Sequence, residues 1–380
     1  MKIDGDWLHH AGTRAVLATL GTDTRRVLFV GGCVRNALMG LPVGDIDLAT
    51  DTSPDVVLDL CVKAGLKVVP TGIEHGTVTV IAGGRSHEVT TFRRDVATDG
   101  RRAQVVFGTD LAVDAARRDF TMNALYADPD GTVTDPLGGL PDVLARRVRF
   151  VGDPVARITE DYLRILRFFR FHAVYGDPAG GIDPDGLAAC AANSAGIETL
   201  SRERLGQEMR KLLAARDPGP AVAAMQAAGV LAQILPGADA RALPVLVHLE
   251  GDLPTRWLRR LALLGGQDVP ERLRLSRTET SALATIRAAI SAGQGALELG
   301  HRHGIATGTD VILCRAAMLG TDLPDHWQDE LARGAGARFP VSAADLTPGL
   351  DGAALGARLR VLKDRWIKSD FTLSRDDLMG

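Results

Sequence analysis

The chain has 380 residues, of which 46% are hydrophobic and 24% are charged, and this composition is typical of a folded globular protein. The net charge of −3 at pH 7 excludes nucleic-acid binding through bulk positive charge and leaves only local basic patches for such a contact. The four cysteines lie far apart, and we find neither a signal peptide nor a run of about 20 apolar residues. These features predict a cytoplasmic protein without a membrane anchor.

The first 150 residues contain short runs of apolar and β-branched residues between turns rich in glycine, aspartate and proline. These runs predict strands, and Gly83-Gly84 predicts a hairpin turn between the last two. Ser53 followed by Pro54 predicts the start of a helix. A polar segment at 93–104, without an apolar period, predicts a mobile loop. The predicted strands are 27–30, 45–48, 77–81 and 87–92, and the predicted helix is 54–64.

After residue 153 the pattern changes to that of helices, with apolar residues at helical spacing and many alanines, leucines and arginines. Helical stretches continue to Trp366, separated by turns that contain glycine or proline. The first predicted helices of this region are 158–174, 184–193, 202–215 and 220–228. The sequence therefore predicts an α+β domain followed by an all-helical remainder.

The predicted strand 27–30 runs directly into Gly31-Gly32, and Arg35 follows shortly after. Two glycines at a strand-to-helix turn let backbone N–H groups approach a phosphate, and an arginine adds a bidentate donor for phosphate oxygens. On its own such a turn is more often structural. The sequence contains neither a Gly-x-x-x-x-Gly-Lys loop nor a Gly-x-Gly-x-x-Gly fingerprint, so a bound nucleotide would depend on a metal ion and on arginine.

Two acids follow this turn, Asp45 and Asp47, on a predicted strand. Residues two apart on a strand point to the same face, so the two carboxylates project together and repel each other unless a cation lies between them. Mg²⁺ prefers such oxygen ligands together with substrate phosphates. A two-metal site needs a third acid, and Glu88 on a neighbouring predicted strand is our candidate, although a solvated acid is the alternative interpretation.

Two further clusters combine arginine with an acid. Arg117-Arg118-Asp119 places two guanidinium groups beside a carboxylate, a pattern that a surface ion-pair cluster also produces. Further on, Asp161 and three arginines recur at every third residue, so that one helix would present them along one face beside an apolar stripe. Residues 146–170 hold seven arginines against three acids, a local excess of positive charge in an acidic protein. The arginines of this basic stripe are Arg164, Arg167 and Arg170.

These motifs follow one another in the order and spacing of a known family: Gly31-Gly32-Cys-Val-Arg35, Asp45-x-Asp47, Arg117-Arg118-Asp119-Phe-Thr-Met-Asn123-Ala and Glu160-Asp161-x-x-Arg164-x-x-Arg167. They resemble the class II CCA-adding tRNA nucleotidyltransferases and the related bacterial poly(A) polymerases, closely over residues 25–215 and more loosely near Trp366. The resemblance implies a polymerase β-like nucleotidyltransferase head with a mixed sheet at 1–150. A helical neck at 151–215 and a helical body and tail for tRNA binding at 216–380 would follow. One residue departs from the family, because Asn36 stands where an aspartate is usual.

The resemblance also implies roles for the clustered residues. Arg118 and Asp119 would hold the incoming nucleotide, and Asp119 would accept a hydrogen bond from the ribose 2′-hydroxyl that a deoxynucleotide lacks. Asp161 and Arg164 would select the base, because cytosine and adenine present an amine donor beside a ring acceptor, whereas uracil and guanine reverse both. The other two arginines of the basic stripe would support the triphosphate or the base.

The implied reaction adds C, C and A to the 3′ end of tRNA from CTP and ATP, with Mg²⁺ held by Asp45 and Asp47. The implied partners are tRNA and the two nucleotides, with no membrane and no stable protein partner. A poly(A) polymerase, or an enzyme that adds only CC or only A, is an alternative within this class; the lack of a basic C-terminal tail favours tRNA as the substrate. A catalytically idle RNA-binding protein is the alternative from another class, and the intact acid pair argues against it.

Overall fold

The structure is a computed structural model that describes residues 1–99, 102–347, 349–350 and 352–380. The chain divides into two compact units, Met1–Pro236 with Glu271–Arg274, and Gly237–Pro270 with Leu275–Gly380. The boundaries predicted at residues 150 and 215 both fall inside the first unit and stay predictions. In the described parts of the chain, no helix is both long and apolar enough to cross a membrane.

The N-terminal part of the first unit contains a mixed β-sheet, as predicted. In the described residues this sheet has seven strands in the order β3-β4-β5-β2-β1-β8-β9, and β6 pairs with β7 separately. Only the β2–β5 pair is parallel; the other neighbours run antiparallel. The strands are β1 (Val27–Val30), β2 (Ile46–Thr50), β3 (Lys67–Gly72), β4 (Thr77–Ala82), β5 (Arg85–Thr91), β6 (Arg93–Asp99), β7 (Arg102–Phe107), β8 (Tyr126–Ala127) and β9 (Val133–Thr134).

Helices cover the sheet and make up the rest of the first unit, which confirms the predicted helical remainder. The earlier ones are α1 (Asp6–His9), α2 (Ala11–Leu20), α3 (Gly32–Leu38), α4 (Pro54–Lys63), α5 (Leu111–Ala116) and α6 (Leu140–Leu144). The later ones are α7 (Pro154–Glu160), α8 (Leu163–Tyr175), α9 (Pro184–Ala192), α10 (Arg202–Leu213), α11 (Gly219–Ala227) and α12 (Val230–Ile234).

An aromatic cluster connects the sheet domain to helix α8. The rings of Phe120 and Phe150 lie 5.0 Å apart between centroids, and Phe150 stacks on Phe168 at 5.3 Å. Phe171, one turn further along α8, lies 4.8 Å from Phe120. Phe120, Phe168 and Phe150 are almost completely buried, so their burial fixes α8 against the segment that follows Arg117-Arg118-Asp119.

The helix predicted over 158–174 is interrupted, so the prediction that Asp161 shares one helix face with the three arginines is wrong. Helix α7 ends at Glu160, and Asp161 has extended backbone angles of φ −156° and ψ 104°. Its carboxylate accepts a hydrogen bond from the Leu163 N–H at 3.1 Å, which competes with helical bonding. The ring of Tyr162 packs on Gly196, where any side chain would overlap it.

The segment predicted as a loop at 93–104 forms the antiparallel pair β6–β7, with Arg93 opposite Phe107. Residues 100–101 of the predicted loop lie outside the described residues. Strand pairing uses backbone groups, which polar residues carry as well as apolar ones do. The lack of a regular apolar period in the sequence of residues 93–104 therefore did not exclude strands β6 and β7.

The second unit is helical. Its helices α17 and α18 approach so closely that a side chain at Gly334 would lie 1.9 Å from the carbonyl oxygen of Leu297. Gly304, with φ 74° and ψ 175°, kinks α17. The helices are α13 (Leu243–Glu250), α14 (Trp257–Leu264), α16 (Arg277–Ser291), α17 (Ala296–Leu319), α18 (Trp327–Gly336), α19 (Gly352–Lys368) and α20 (Arg375–Met379); α15 (Val269–Arg272) contributes residues to both units.

Candidate active site

A cavity of about 570 Å³ in the first unit brings together residues from four separate segments of the chain. Every residue named for the site from the sequence lines this cavity, with the exception of Glu88. Four further residues line it that the site prediction did not include. The lining residues are Gly31, Gly32, Arg35, Asp45, Asp47, Arg117, Arg118, Asp119, Asn123, Asp161, Arg164, Arg167, Arg170, Phe171 and Tyr175.

The glycine turn keeps one side of the cavity open. Gly31 has φ 69° and ψ −120°, a conformation that side chains rarely adopt, and its N–H donates to the Leu125 carbonyl at 3.1 Å. A Cβ on Gly31 would lie 3.4 Å from the Arg118 guanidinium, and a Cβ on Gly32 would lie 4.0 Å from the Asp47 carboxylate. Glycine at both positions therefore leaves the space between this arginine and this acid free for a ligand.

Arg35 is buried on one side of the cavity, and its guanidinium is held from three directions. It donates to the side-chain oxygen of Asn123 at 2.5 Å and to that of Asn36 at 2.8 and 3.1 Å. Its guanidinium carbon lies 3.8 Å from the centroid of the Tyr175 ring. The Asn36 amide in turn donates to the Pro42 carbonyl at 2.9 Å. Asn36 thus retains the acceptor role that an aspartate would have and adds a donor that aspartate lacks.

The three predicted acids occupy different environments. Asp45 is exposed and precedes β2, which begins one residue later than predicted, whereas Asp47 is half-buried within it. Glu88 lies in register beside Asp47 on the parallel strand β5, but it is exposed. Burial raises the pKa of Asp47 to about 6, and the negative charges of Glu88 and Asp45 add to the shift, while Arg118 opposes it.

Asp45 and Asp47 suit Mg²⁺ as two carboxylate ligands, but they do not form a complete set of protein ligands around it. Among the described residues, no group of three His, Cys, Asp or Glu side chains is placed to hold a metal ion. Mg²⁺ is commonly bound by one or two carboxylates together with substrate phosphates. The crowding of carboxylates that raises the pKa of Asp47 is the arrangement that a divalent cation would relieve.

A buried aspartate that sequence analysis missed, Asp114, holds both arginines of the Arg117-Arg118 pair. Its carboxylate accepts from Arg117 Nε at 2.8 Å and from an Arg118 terminal nitrogen at 3.1 Å. It also accepts from the Tyr126 hydroxyl at 2.6 Å, and that hydroxyl accepts from Arg118 Nε at 3.1 Å. Asp114 lies three and four residues before the two arginines, a helical ion-pair spacing that could have identified it.

Asp119 is fully engaged within the site. One carboxylate oxygen accepts from Arg167 at 2.8 and 2.5 Å. The other accepts from the Asn123 amide and from the Phe120 N–H, both at 2.9 Å. Burial alone would raise the pKa of Asp119, but Arg167 and these hydrogen bonds hold it below its usual value. Asp119 is therefore an ionised acceptor at neutral pH, oriented by partners on both sides.

Helix α10 supplies ion-pair partners to Arg170 of the basic stripe and to Asp161, and no sequence signal indicated these pairs. Arg204 donates to Asp161 at 2.6 Å, and Glu208 accepts from Arg170 at 2.5 Å. Arg204 and Glu208 lie four residues apart on the helix, and this spacing alone would predict an ion pair between the two side chains. Arg164 instead pairs with Glu160 at 2.5 Å, so Asp161 and Arg164 have separate partners.

Two parts of the chain match known protein families. Residues 27–149 match the family model described as the poly A polymerase head domain, and residues 181–241 match the one described as the probable RNA and SrmB-binding site of polymerase A. The chain is 33% identical over 373 residues to the mitochondrial CCA tRNA nucleotidyltransferase 1 of Danio rerio, covering 92% of this chain and 85% of that one.

A bacterial relative and a solved structure give a consistent picture. The chain is 45% identical over 199 residues to a CCA-adding enzyme of Oceanobacillus iheyensis, a match that covers 52% of this chain and 48% of that one. It thus spans about half the length of that relative. The Bacillus stearothermophilus CCA-adding enzyme in complex with CTP is similar in fold, with a TM-score of 0.76 and 28% identity over 97% of this chain and 94% of that one.

Proposed function

Because the chain belongs to the family of CCA-adding tRNA nucleotidyltransferases, we propose that it adds C, C and A to the 3′ end of tRNA from CTP and ATP at the cavity of the first unit. One observation carries the proposal. An acid pair, a glycine turn and an arginine-rich wall that lie far apart in the sequence line the same cavity. This combination suits a nucleoside triphosphate, whose phosphates are attracted to arginine and to a carboxylate-bound cation.

The proposed step forms a bond between the 3′-oxygen of tRNA and the α-phosphorus of the nucleotide, and it breaks the bond to the β-phosphate, so that pyrophosphate leaves. Arg35 and Arg118 flank the open side at Gly31 and attract the phosphates. Asp45 and Asp47 would hold Mg²⁺, which when bound would neutralise phosphate charge and lower the pKa of the attacking hydroxyl. Glu88, in register beside Asp47, is the proposed third carboxylate.

Base selection would depend on Asp161 and Arg164 as acceptor and donor. Both carboxylate oxygens of Asp161 are oriented, one by the Leu163 N–H and the other by Arg204, and each keeps a lone pair that can accept the exocyclic amine of cytosine or adenine. Uracil and guanine would present an acceptor at that position and be opposed by the carboxylate. Asp119, oriented on both sides, would accept the ribose 2′-hydroxyl.

The test removes the acid pair. Asp45→Ala and Asp47→Ala should each abolish nucleotide transfer, on the order of a thousandfold or more, because several kcal/mol of transition-state stabilisation is lost with the metal ligand. Folding and tRNA binding should be unchanged. Asp55→Ala, which removes an exposed acid of α4 outside the cavity, is the matched control. Near-full turnover of Asp47→Ala at saturating Mg²⁺ would contradict the proposal.

A second experiment distinguishes the alternatives within the class. Primer extension is measured on tRNA that ends before the CCA, after the first C and after the second C. The proposal expects extension of all three to the complete CCA end and no further. Extension by ATP into a long tail would indicate a poly(A) polymerase, and extension of only one or two substrates would indicate a partial enzyme.

We also propose a cytoplasmic location for the protein. All four cysteines are reduced and buried, which suits a reducing compartment. Cell fractionation with antibody detection tests this, and recovery of the protein in an organelle would contradict it.

A further inference from the structure

A second cavity of about 470 Å³ lies in the first unit, at the end of β1 opposite the glycine turn. Its walls come from α2, from the connection between α2 and β1, and from the turn after β8. The start of β1 at Val27 and Gly31 are separated by four residues, or about 13 Å of extended strand. The two cavities therefore lie at opposite ends of the same strand and share none of their lining residues.

Three arginines line this second cavity, Arg14, Arg25 and Arg26, against a single acid, Asp128. Within the part of the chain that the structure describes, none of the three guanidinium groups has a hydrogen-bond or ion-pair partner. The Nε atom of Arg25 is buried and lacks an acceptor. A buried donor without an acceptor is unfavourable, so the free energy of this arrangement improves when an acceptor enters the cavity.

Several other arginines of the same unit donate to buried carboxylates. Arg147 and Arg149 both donate to the buried Asp142, and Arg170 donates to Glu208. Exposed arginines such as Arg85 also lack a partner among the described residues, but Arg25 is half-buried with a buried Nε, and three such guanidinium groups line one cavity. They resemble instead a site whose acceptor comes from a ligand, because arginine presents paired donors that match phosphate oxygens.

We propose that this cavity is a second binding site for a ribose phosphate, separate from the nucleotide cavity. Three guanidinium charges against one carboxylate leave two positive charges, enough to neutralise either a phosphate monoester or a phosphodiester at neutral pH. The Asp128 carboxylate opposes a bare anion, but it can accept a hydrogen bond from a ribose hydroxyl. Apolar side chains such as Leu17 complete the wall and suit the carbon face of a sugar. The phosphate comes either from a free nucleotide or from an RNA backbone.

The first arm of the test measures small ligands. Ribose 5-phosphate and inorganic phosphate are titrated calorimetrically into the full chain, with the nucleotide cavity first saturated with CTP. We expect ribose 5-phosphate to bind more tightly than inorganic phosphate, and at least tenfold more weakly to the Arg14→Gln/Arg25→Gln double variant. Arg85→Gln, which removes an exposed arginine of the same unit outside the cavity, should leave the affinity unchanged.

The second arm measures tRNA binding over a range of salt concentrations. If the phosphate belongs to an RNA backbone, the double variant should reduce the slope of log K against log salt by about two. Loss in either arm supports the site and identifies the source of its phosphate. Unchanged binding in both arms overturns the proposal. If the double variant fails to fold, the same measurements are made on Arg14→Gln alone, which changes an exposed position on α2.

Discussion

At the scale of single residues, the buried carboxylate of Asp114 organises one wall of the proposed nucleotide cavity. Its side chain is 1% exposed and accepts hydrogen bonds from Arg117, Arg118 and Tyr126. Burial alone would raise the pKa of Asp114, but the two arginines hold it below its ordinary value, so the group is ionised at neutral pH. Asp114 therefore fixes the position of Arg118 without lining the cavity itself.

Replacing Asp114 with Asn should weaken the hydrogen bonding that fixes the position of the Arg118 guanidinium. The loss of a charge-assisted hydrogen bond is worth about 1.5–3 kcal/mol, so we expect KM for both CTP and ATP to rise about tenfold or more. Preference for C and A over U and G should be unchanged, because the base-selecting residues are untouched. Steady-state kinetics measures both quantities. Asp110→Asn on the same helix is the control, since asparagine caps a helix as well as aspartate does; an unchanged KM in a folded Asp114→Asn protein would contradict this role.

A second buried acid predicts how stability depends on pH. Asp142 is completely buried and accepts from the Thr121 hydroxyl, Arg147 and Arg149 at 2.7, 2.7 and 2.9 Å. Burial alone would raise the pKa of Asp142, but these donors hold it below its ordinary value. The ionised group therefore stabilises the fold above the unfolded-state pKa of about 3.9, and this contribution is lost as the pH falls through the lower folded-state pKa.

Asp142→Asn should consequently lower the free energy of unfolding at pH 7 by about 1–3 kcal/mol, a modest loss because both arginines are half-exposed. The difference from the unmodified protein should shrink as the pH is lowered below about 4. Urea unfolding at a series of pH values measures this. Asp130→Asn, in an exposed pair with Lys2, should change stability by less than about 1 kcal/mol. A difference that stays constant with pH would contradict the assignment.

At the scale of elements, helix α10 orients Asp161, which we propose selects the base, through Arg204, and it holds the far end of the basic stripe through Glu208. Arg164→Ala and Asp161→Ala should each narrow the preference for C and A over U and G by about 5- to 150-fold, since one base-edge contact is worth roughly 1–3 kcal/mol. A competition assay with all four nucleotides measures the change. If both variants keep the original preference, the base is selected elsewhere, for example by the end of the tRNA.

Helix α10 offers both a variant with a weaker expected effect and a control variant. Arg204→Gln should shift the preference in the same direction but less strongly, because Asp161 keeps its acceptor oxygens and loses only one of the groups that orient it. Arg202→Gln, at an exposed position of the same helix, should have no effect.

The β6–β7 pair is the element for which we predict a step-specific role. The family resemblance implies that this segment is needed for the final addition of A. A deletion that shortens the hairpin should therefore leave both additions of C intact and impair the addition of A, as measured by primer extension on tRNA ending in C and in CC. An equal loss of both activities would contradict this role.

Much of the head could be predicted from its sequence, because its central strands are apolar on at least one face and end at glycine, aspartate or proline. Strand β1 is completely buried and lies where it was predicted. Strand β3 was missed, since it is largely exposed and contains Pro70, and both features weaken a strand signal. The cavity residues were found through motifs, whereas their supporting residues were not.

The interruption at Asp161 has a tertiary cause that local spacing cannot report. The pattern of residues 158–174 is compatible with one helix, and the contacts that favour the break come from Arg204 and Gly196, more than 30 residues further along the chain. Glu208 was missed for the same reason, because its partner lies on another helix. Local patterns predicted which residues line the cavity, but not which residues hold them in place.

At the scale of the whole molecule, the second unit has its own buried ionic network. Glu250, 4% exposed, accepts from Arg259 at 2.8 Å and from Arg260 at 2.6 Å, and Arg259 also donates to Asp310 at 2.8 Å. Removing one member of a buried network leaves the others without a compensating charge, which is typically destabilising by about 3–5 kcal/mol. The stability of this unit therefore depends on charged residues that lie far along the sequence from the residues that line the proposed nucleotide cavity.

We expect Glu250→Gln to lower the unfolding temperature of the second unit while CTP binding by the first unit stays unchanged. Differential scanning calorimetry and CTP titration measure the two effects. Glu298→Gln, which breaks the partly exposed pair with Arg302, should shift the transition much less. A parallel loss of CTP affinity in Glu250→Gln would contradict the independence of the two units.

The parallel pairing of β2 with β5 has a consequence for biosynthesis. Asp47 meets its neighbour Glu88 only after the whole β3–β4 segment has been made, and the cavity draws further residues from as far along the chain as Tyr175. Arg204 and Glu208 emerge from the ribosome later still. Domains fold as units during synthesis and long-range contacts form slowly, so a nascent chain acquires its sheet well before α10 can brace the basic stripe. During translation the cavity residues are therefore all made before the residues of α10 that hold Asp161 and Arg170 in place.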